Sequence, residues 1–244
     1  MRTFGVVGAG VMGSGIAQVA AIGGYRTFCV DVDPVAVDRA RQSTISGRYG
    51  MARAVELGKL TSQEADAAAA RLEFGTDLDA LAGCAVIVEA TFEQFDTKVD
   101  VFRLLDQLAS PDAILASNTS GFSIAAIAAA TARPERVIGW HWASPPPVMK
   151  LAEIIRGPRT ADRVVDGVVA MASAFGKNPI VVNDTLMVWG FVANRAFGAL
   201  RRECGRIVAE GIATPEQVDQ LLVDCFRWPV GPFALERGAT SGWK

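Results

Sequence analysis

The chain has 244 residues, half of them hydrophobic, and 24 basic against 26 acidic side chains leave a formal net charge of -2. That balance, without any run of like charge, offers no footprint for a nucleic acid and favours a small neutral or anionic partner. Four scattered cysteines and a single histidine exclude a disulfide framework and a zinc ligand set, and read as reduced, mostly buried thiols of a cytoplasmic protein.

Arg2 followed by the small-residue stretch from Val6 to Ala21 imitates a secretory signal. Gly8, Gly10, Gly13 and Gly15 interrupt that stretch at offsets that suit a turn, so neither a signal nor a membrane span is expected. Short β-rich apolar runs then alternate with helical patterns, as in a parallel sheet flanked by helices. The strands predicted are Thr3–Val7, Arg26–Val30, Ala85–Ala90, Ala113–Ala116, Val137–Trp140, Leu151–Ile155 and Ile180–Val182. Between the second and third, Val35 to Arg71 is too long for one crossover helix. It reads as two helices broken near Gly58, with a capping box from Thr61 to Glu64 opening the second, and the pair should protrude from the sheet. From Phe191 strand patterns cease. A helix from Phe191 to Glu210 and another opening at Thr214-Pro215 follow. The fold class is therefore α/β, a Rossmann-type doubly wound sheet in residues 1–183 with a protruding helical hairpin, then a smaller all-helical domain in 184–244.

The first strand runs into Gly8-x-Gly10-x-x-Gly13 and then a helix pattern. In that context Gly8 permits a tight turn, Gly10 lets backbone approach a pyrophosphate, and Gly13 lets helix and strand pack closely, with Val11 and Met12 between them at the helix N-terminus. The second strand ends at Asp31, where a carboxylate accepts ribose hydroxyls and opposes a 2′-phosphate, so the cofactor expected is NAD; Asp33 is a rival for that role.

Further along, Ser117-Asn-Thr-Ser120 forms a polar turn after a strand end, the place where ligands bind in an open α/β sheet. Ser120 is a candidate substrate contact or a helix cap, with Ser123 competing as cap. His141 stands at a strand end before the proline corner Pro145-Pro146-Pro147, and Glu153 lies on the strand that returns. Strand, stiff connection and strand can bring the two side by side, and an imidazole oriented by a carboxylate suits the removal of an alcohol proton while hydride leaves.

Several long motifs in one order carry a resemblance over nearly the whole chain: GAGVMGSGIAQVA, SNTS at 117–120, RPERVIGWHW at 133–142, PPPVMKLAEII at 145–155, GFVANR, ATPEQVD and PVGPF. The chain resembles the 3-hydroxyacyl-CoA dehydrogenase family. The resemblance implies His141 as catalytic base, Glu153 as its orienting partner, and Ser120 and Asn194 as groups that hold the substrate oxygen. It implies NAD contacts from Asp31, Glu93, Lys98 and Asn118, with Ser120 and Ser144 near the same cofactor, and a CoA-binding role for the hairpin at 35–71. It also implies a homodimer formed through the helical domain.

The departures are specific. Trp142-Ala-Ser144-Pro145 stands where the family has Phe-Phe-Asn-Pro, so a shorter serine replaces an asparagine near the nicotinamide. Asp184-Thr-Leu-Met-Val-Trp-Gly-Phe holds three more residues than the family's Asp-Thr-Pro-Gly-Phe. The hairpin has no clear match for the family's CoA-binding serine and lysine, although Arg48, Arg53 and Lys59 bring charge nearby, and the chain ends soon after PVGPF, short of the family's last helices. Alternatives to a CoA substrate are a carrier-protein-bound or free hydroxy acid, and, from another class, an NAD-binding protein without turnover.

Overall fold

A computed structural model describes residues 3–185 and 188–236. The chain divides into two compact units between Phe191 and Val192. The first runs past the boundary expected near Asp184, because the segment after β8 stays bound to it. The Asp184 carboxylate accepts from Ser123 Oγ and Ala125 N, and the Trp189 ring meets Phe122 at 5.0 Å.

In the first unit eight strands form one sheet in the order β3-β2-β1-β4-β5-β6-β7-β8. They are β1 (Thr3–Val7), β2 (Arg26–Val30), β3 (Leu72–Gly75), β4 (Val86–Glu89), β5 (Ile114–Ser117), β6 (Val137–Trp142), β7 (Leu151–Arg156) and β8 (Asn178–Asn183). The order steps outward from β1 in both directions, which is the doubly wound arrangement. The expected parallel sheet fails at one place: β7 runs antiparallel to β6. Only residues 143–150 join these strands, too few for the crossover that a parallel pair needs.

The alternation of side chains along the strands divides the core between the two faces. Phe4, Val6, Trp140 and Trp142 point to the face covered by α1 (Val11–Ile22) and α7 (Asp162–Ala174). Val7, Ile87, Leu115 and Ile155 point to the other, covered by α5 (Phe95–Leu108) and α6 (Ile124–Ala128). The excursion between β2 and β3 holds three helices rather than two: α2 (Pro34–Ser46), α3 (Met51–Glu56) and α4 (Ser62–Ala69). The additional break falls at Gly47 and Gly50, where a Cβ would stand 2.4 Å and 2.8 Å from backbone carbonyl oxygens. Thr61 and Glu64 do form a capping box on α4. The excursion packs on the C-terminal half of α1 through Met51 and Ala68, with Gln18 Nε2 donating to Tyr49 O at 2.9 Å.

The second unit contains α8 (Val192–Ala209), α9 (Pro215–Phe226) and the short α10 (Pro232–Glu236). Thr214 and Gln217 cap α9 reciprocally, and the buried Asp219 carboxylate accepts from the N–H groups of Phe233 and Ala234 at the start of α10. Among the described residues no helix is long and apolar enough to cross a membrane.

Candidate active site

The glycine turn is built around close approaches. Gly8 has φ +100°, and a Cβ there would lie 2.6 Å from Ala90 O, so only glycine fits. A Cβ on Gly13 would meet Gly8 O at 1.8 Å, which lets α1 descend directly onto the turn. A Cβ at Gly10 would meet nothing within 4 Å, and α1 opens with no side-chain cap and no acidic residue in its first turn. The first N–H groups of α1, at Val11 and Met12, therefore face an open place that suits an anion. Asp31 binds the turn to β2: its Oδ2 accepts from Ala9 N at 2.7 Å and its Oδ1 from Asp33 N at 3.0 Å. Asp33 caps α2 by accepting from Val35 N, leaving Asp31 as the carboxylate at the strand end. Beneath the turn, burial and the nearby Asp31 carboxylate push the Cys29 thiol up to about 12.

A buried ionic network ties the ends of β4 and β5 together. Glu89, fully buried, accepts from Thr91 N and Oγ1, from Lys98 Nζ at 2.8 Å and from Ser117 Oγ at 2.6 Å. Lys98, 1% exposed, also reaches Glu93 Oε2 at 3.1 Å, and Glu93 Oε1 accepts from Thr119 Oγ1 and Ser120 N. Glu93 and Lys98, singled out from the family resemblance, are thus joined to each other and to the Ser120 turn. Glu89, Ser117 and Thr119 were not foreseen, and the one signal in the sequence is a carboxylate closing the apolar run Val86-Ile-Val-Glu89.

Ser123, not Ser120, caps α6 by accepting from Ala126 N. The Ser120 backbone is held by Glu93 while its hydroxyl makes no hydrogen bond among the described residues. Asn118 Oδ1 accepts from Trp142 N at 2.9 Å, which fastens this turn to the end of β6. On β6 the register sets His141 opposite Glu153 across the antiparallel pair. His141 Nδ1 donates to Glu153 Oε2 at 2.8 Å, with both side chains buried and the Phe191 ring 6.2 Å from the imidazole. A carboxylate only accepts, so the Nδ1 proton faces Glu153 and Nε2 is left as the ring's acceptor. Ser144 is exposed in the connection that follows. Asn194 lies in the first turn of α8, in the smaller unit, with its side chain exposed.

On the opposite face of the sheet a cavity of about 290 Å³ opens between α1, α3 and the β6–β7 connection. Its walls carry Arg48, Arg53, Lys59, Lys150 and Lys177 and no acidic side chain, beside the apolar Val19, Ile22 and Leu60. Arg53 is paired with Glu56 at 2.7 Å, outside the lining.

Comparison with known proteins supplies an independent line. The 3-hydroxyacyl-CoA dehydrogenase NAD binding domain matches residues 3–185, and the C-terminal domain of the same family matches 190–242. A probable 3-hydroxybutyryl-CoA dehydrogenase of Bacillus subtilis is 40% identical over 94% of this chain and 78% of its own length. One from Deinococcus radiodurans is 40% identical over 95% of this chain and 81% of its own. The crystal structure of (S)-3-hydroxybutyryl-CoA dehydrogenase from Ralstonia eutropha superposes with a TM-score of 0.90 at 38% identity, covering 96% of this chain and 81% of that one.

Proposed function

Because the chain belongs to the 3-hydroxyacyl-CoA dehydrogenase family, NAD-dependent oxidoreductases, we propose that it interconverts a 3-hydroxyacyl-CoA and the 3-oxoacyl-CoA, with His141 as base. The observation that carries this reading is the buried His141–Glu153 pair, fastened through Asn118 to the turn that carries Ser120. When bound, NAD supplies the hydride acceptor. Gly8, Gly10 and Gly13 with Val11 and Met12 would hold its pyrophosphate and Asp31 its adenosine ribose, with Asn118, Ser144 and Glu93 toward its nicotinamide end and Lys98 positioning Glu93. Nε2 of His141 takes the proton of the 3-hydroxyl as the C–H bond breaks, and in the reverse direction returns it to the ketone oxygen. Glu153 holds the ring in the Nδ1–H tautomer and stabilises the imidazolium that forms. Ser120 holds the substrate oxygen at the place where charge develops.

CoA is the carrier in this reading because the relatives are 3-hydroxybutyryl-CoA dehydrogenases, and Arg48, Arg53 and Lys59 bring positive charge to the helical excursion between β2 and β3. NADH oxidation with acetoacetyl-CoA, acetoacetate and the carrier-protein thioester, compared side by side, tests this. The CoA ester should lead in kcat/KM by at least about tenfold, and an equal rate with the free acid would remove the carrier assignment. The chain acts as a homodimer through the helical unit in this reading. The support is apolar surface on that unit, where Val192, Ile212, Leu221 and Phe226 are each at least 60% exposed. Light scattering on diluted samples with activity followed in parallel checks it, and an active monomer would refute it.

A further inference from the structure

The run Pro145-Pro146-Pro147 has no backbone N–H to donate, so the connection joining the His141 strand to the Glu153 strand has few donors of its own for its carbonyls. It makes one internal turn, Val148 N and Met149 N both donating to Pro145 O at 3.0 Å. The carbonyls of Pro146 and Met149 are taken instead by one side chain from outside: Lys177 Nζ donates to both, at 2.8 Å to Met149 O. Lys177 is 7% exposed, and its ammonium also stands 5.4 Å from the centre of the Trp142 ring, the residue directly after His141. From the other side α1 closes on the same connection at Gly15, where a Cβ would come within 2.9 Å of Pro146.

We propose that Lys177 is a positioning residue for hydride transfer: as an ammonium, from the face of the sheet opposite His141, it clamps the connection whose two ends carry His141 and Glu153, and turnover depends on its charge. The inference rests on the reading of His141 as base.

Burial, and next the charge of Lys150, lower the Lys177 pKa to about 8. Among the described residues, the charged side chains that line the cavity with it are all positive: Lys150, whose own Nζ donates to Gly176 O, and Arg48, Arg53 and Lys59. Its partners are carbonyl oxygens and an indole face, all of which hold an ammonium more strongly than a neutral amine. Below about pH 8 the clamp is charged; above it the proton is lost and the grip weakens.

The test compares wild type, Lys177→Met and Lys177→Arg in the oxidation direction with 3-hydroxybutyryl-CoA as probe. Wild-type kcat should fall on the alkaline side of about pH 8. The arginine variant, which stays charged, should keep its kcat through that range, and the methionine variant should show no such limb and about tenfold lower kcat at neutral pH, with NAD affinity unchanged. A change confined to KM would make Lys177 a carrier contact and overturn the proposal, as would the same alkaline limb in all three proteins. Hydrogen exchange at the Val148 and Met149 amides reads the clamp without turnover. Native protection in Lys177→Met overturns it even if the wild type proves inactive on this substrate, whereas that inactivity alone counts against the reading of the substrate.

Discussion

Replacing Glu89 by glutamine should be among the costliest single-atom changes in the first unit. The carboxylate is fully buried and accepts four hydrogen bonds, one of them from Lys98, itself 1% exposed. Glutamine keeps the shape, and its amide oxygen can still take the Thr91 and Lys98 donors while Ser117 turns to accept from the new NH₂ group. What is lost is the charge opposite Lys98. Removing one partner from a buried ion pair costs about 3–5 kcal/mol, and because Glu93 still reaches Lys98 at 3.1 Å the lower end, about 3 kcal/mol, is expected. For a unit of this size that lowers Tm by about 6–12 °C. Lys98→Met in the same protein removes the stranded ammonium and should recover about 2 kcal/mol of the loss. Thermal melts of wild type, both single variants and the double variant measure this. A Glu89→Gln protein within about 0.5 kcal/mol of wild type, or a double variant no more stable than Glu89→Gln alone, would refute the reasoning.

Asp31→Ala should narrow the preference for NAD over NADP, read by calorimetry with each cofactor, and equal affinity of the native protein for both would exclude Asp31 as the discriminating carboxylate. Burial raises the Cys29 and Cys84 thiols to about 12 and shifts Cys204 upward as well, whereas Cys225 is exposed. A thiol reagent at neutral pH should therefore label Cys225 alone in the native protein and all four after unfolding, and rapid labelling of Cys29 would contradict the packing under the glycine turn.

The central strands were legible because β1, β2, β4 and β5 are short apolar runs bounded by breakers, and the glycine turn because three glycines at fixed offsets leave few conformations. The His141–Glu153 pair was legible because a strand, a stiff proline connection and a second strand can set the two side by side, although the antiparallel register that does so emerges only from the fold. β3 was not, since Leu-Glu-Phe-Gly is four residues at a sheet edge and directly follows a helical stretch. The break at Gly47 and Gly50 was overlooked because Gly58, with a capping box just after it, gave the stronger signal. The Glu89–Lys98–Ser117 network could not be read, as Ser117 lies 28 residues from Glu89 and only the pairing of β4 with β5 unites them. Lys177 was missed likewise; nothing near it in sequence marks it, and its partners lie 28 to 31 residues earlier.

The account turns most directly on His141. Its alanine variant should be compared with wild type in NADH-dependent reduction of acetoacetyl-CoA, with cofactor affinity measured on the same samples. Removal of a general acid–base group costs about 10²–10⁴-fold in kcat and leaves dinucleotide binding nearly intact, which is the result expected. Native turnover by His141→Ala would contradict the assignment of this histidine as the proton carrier.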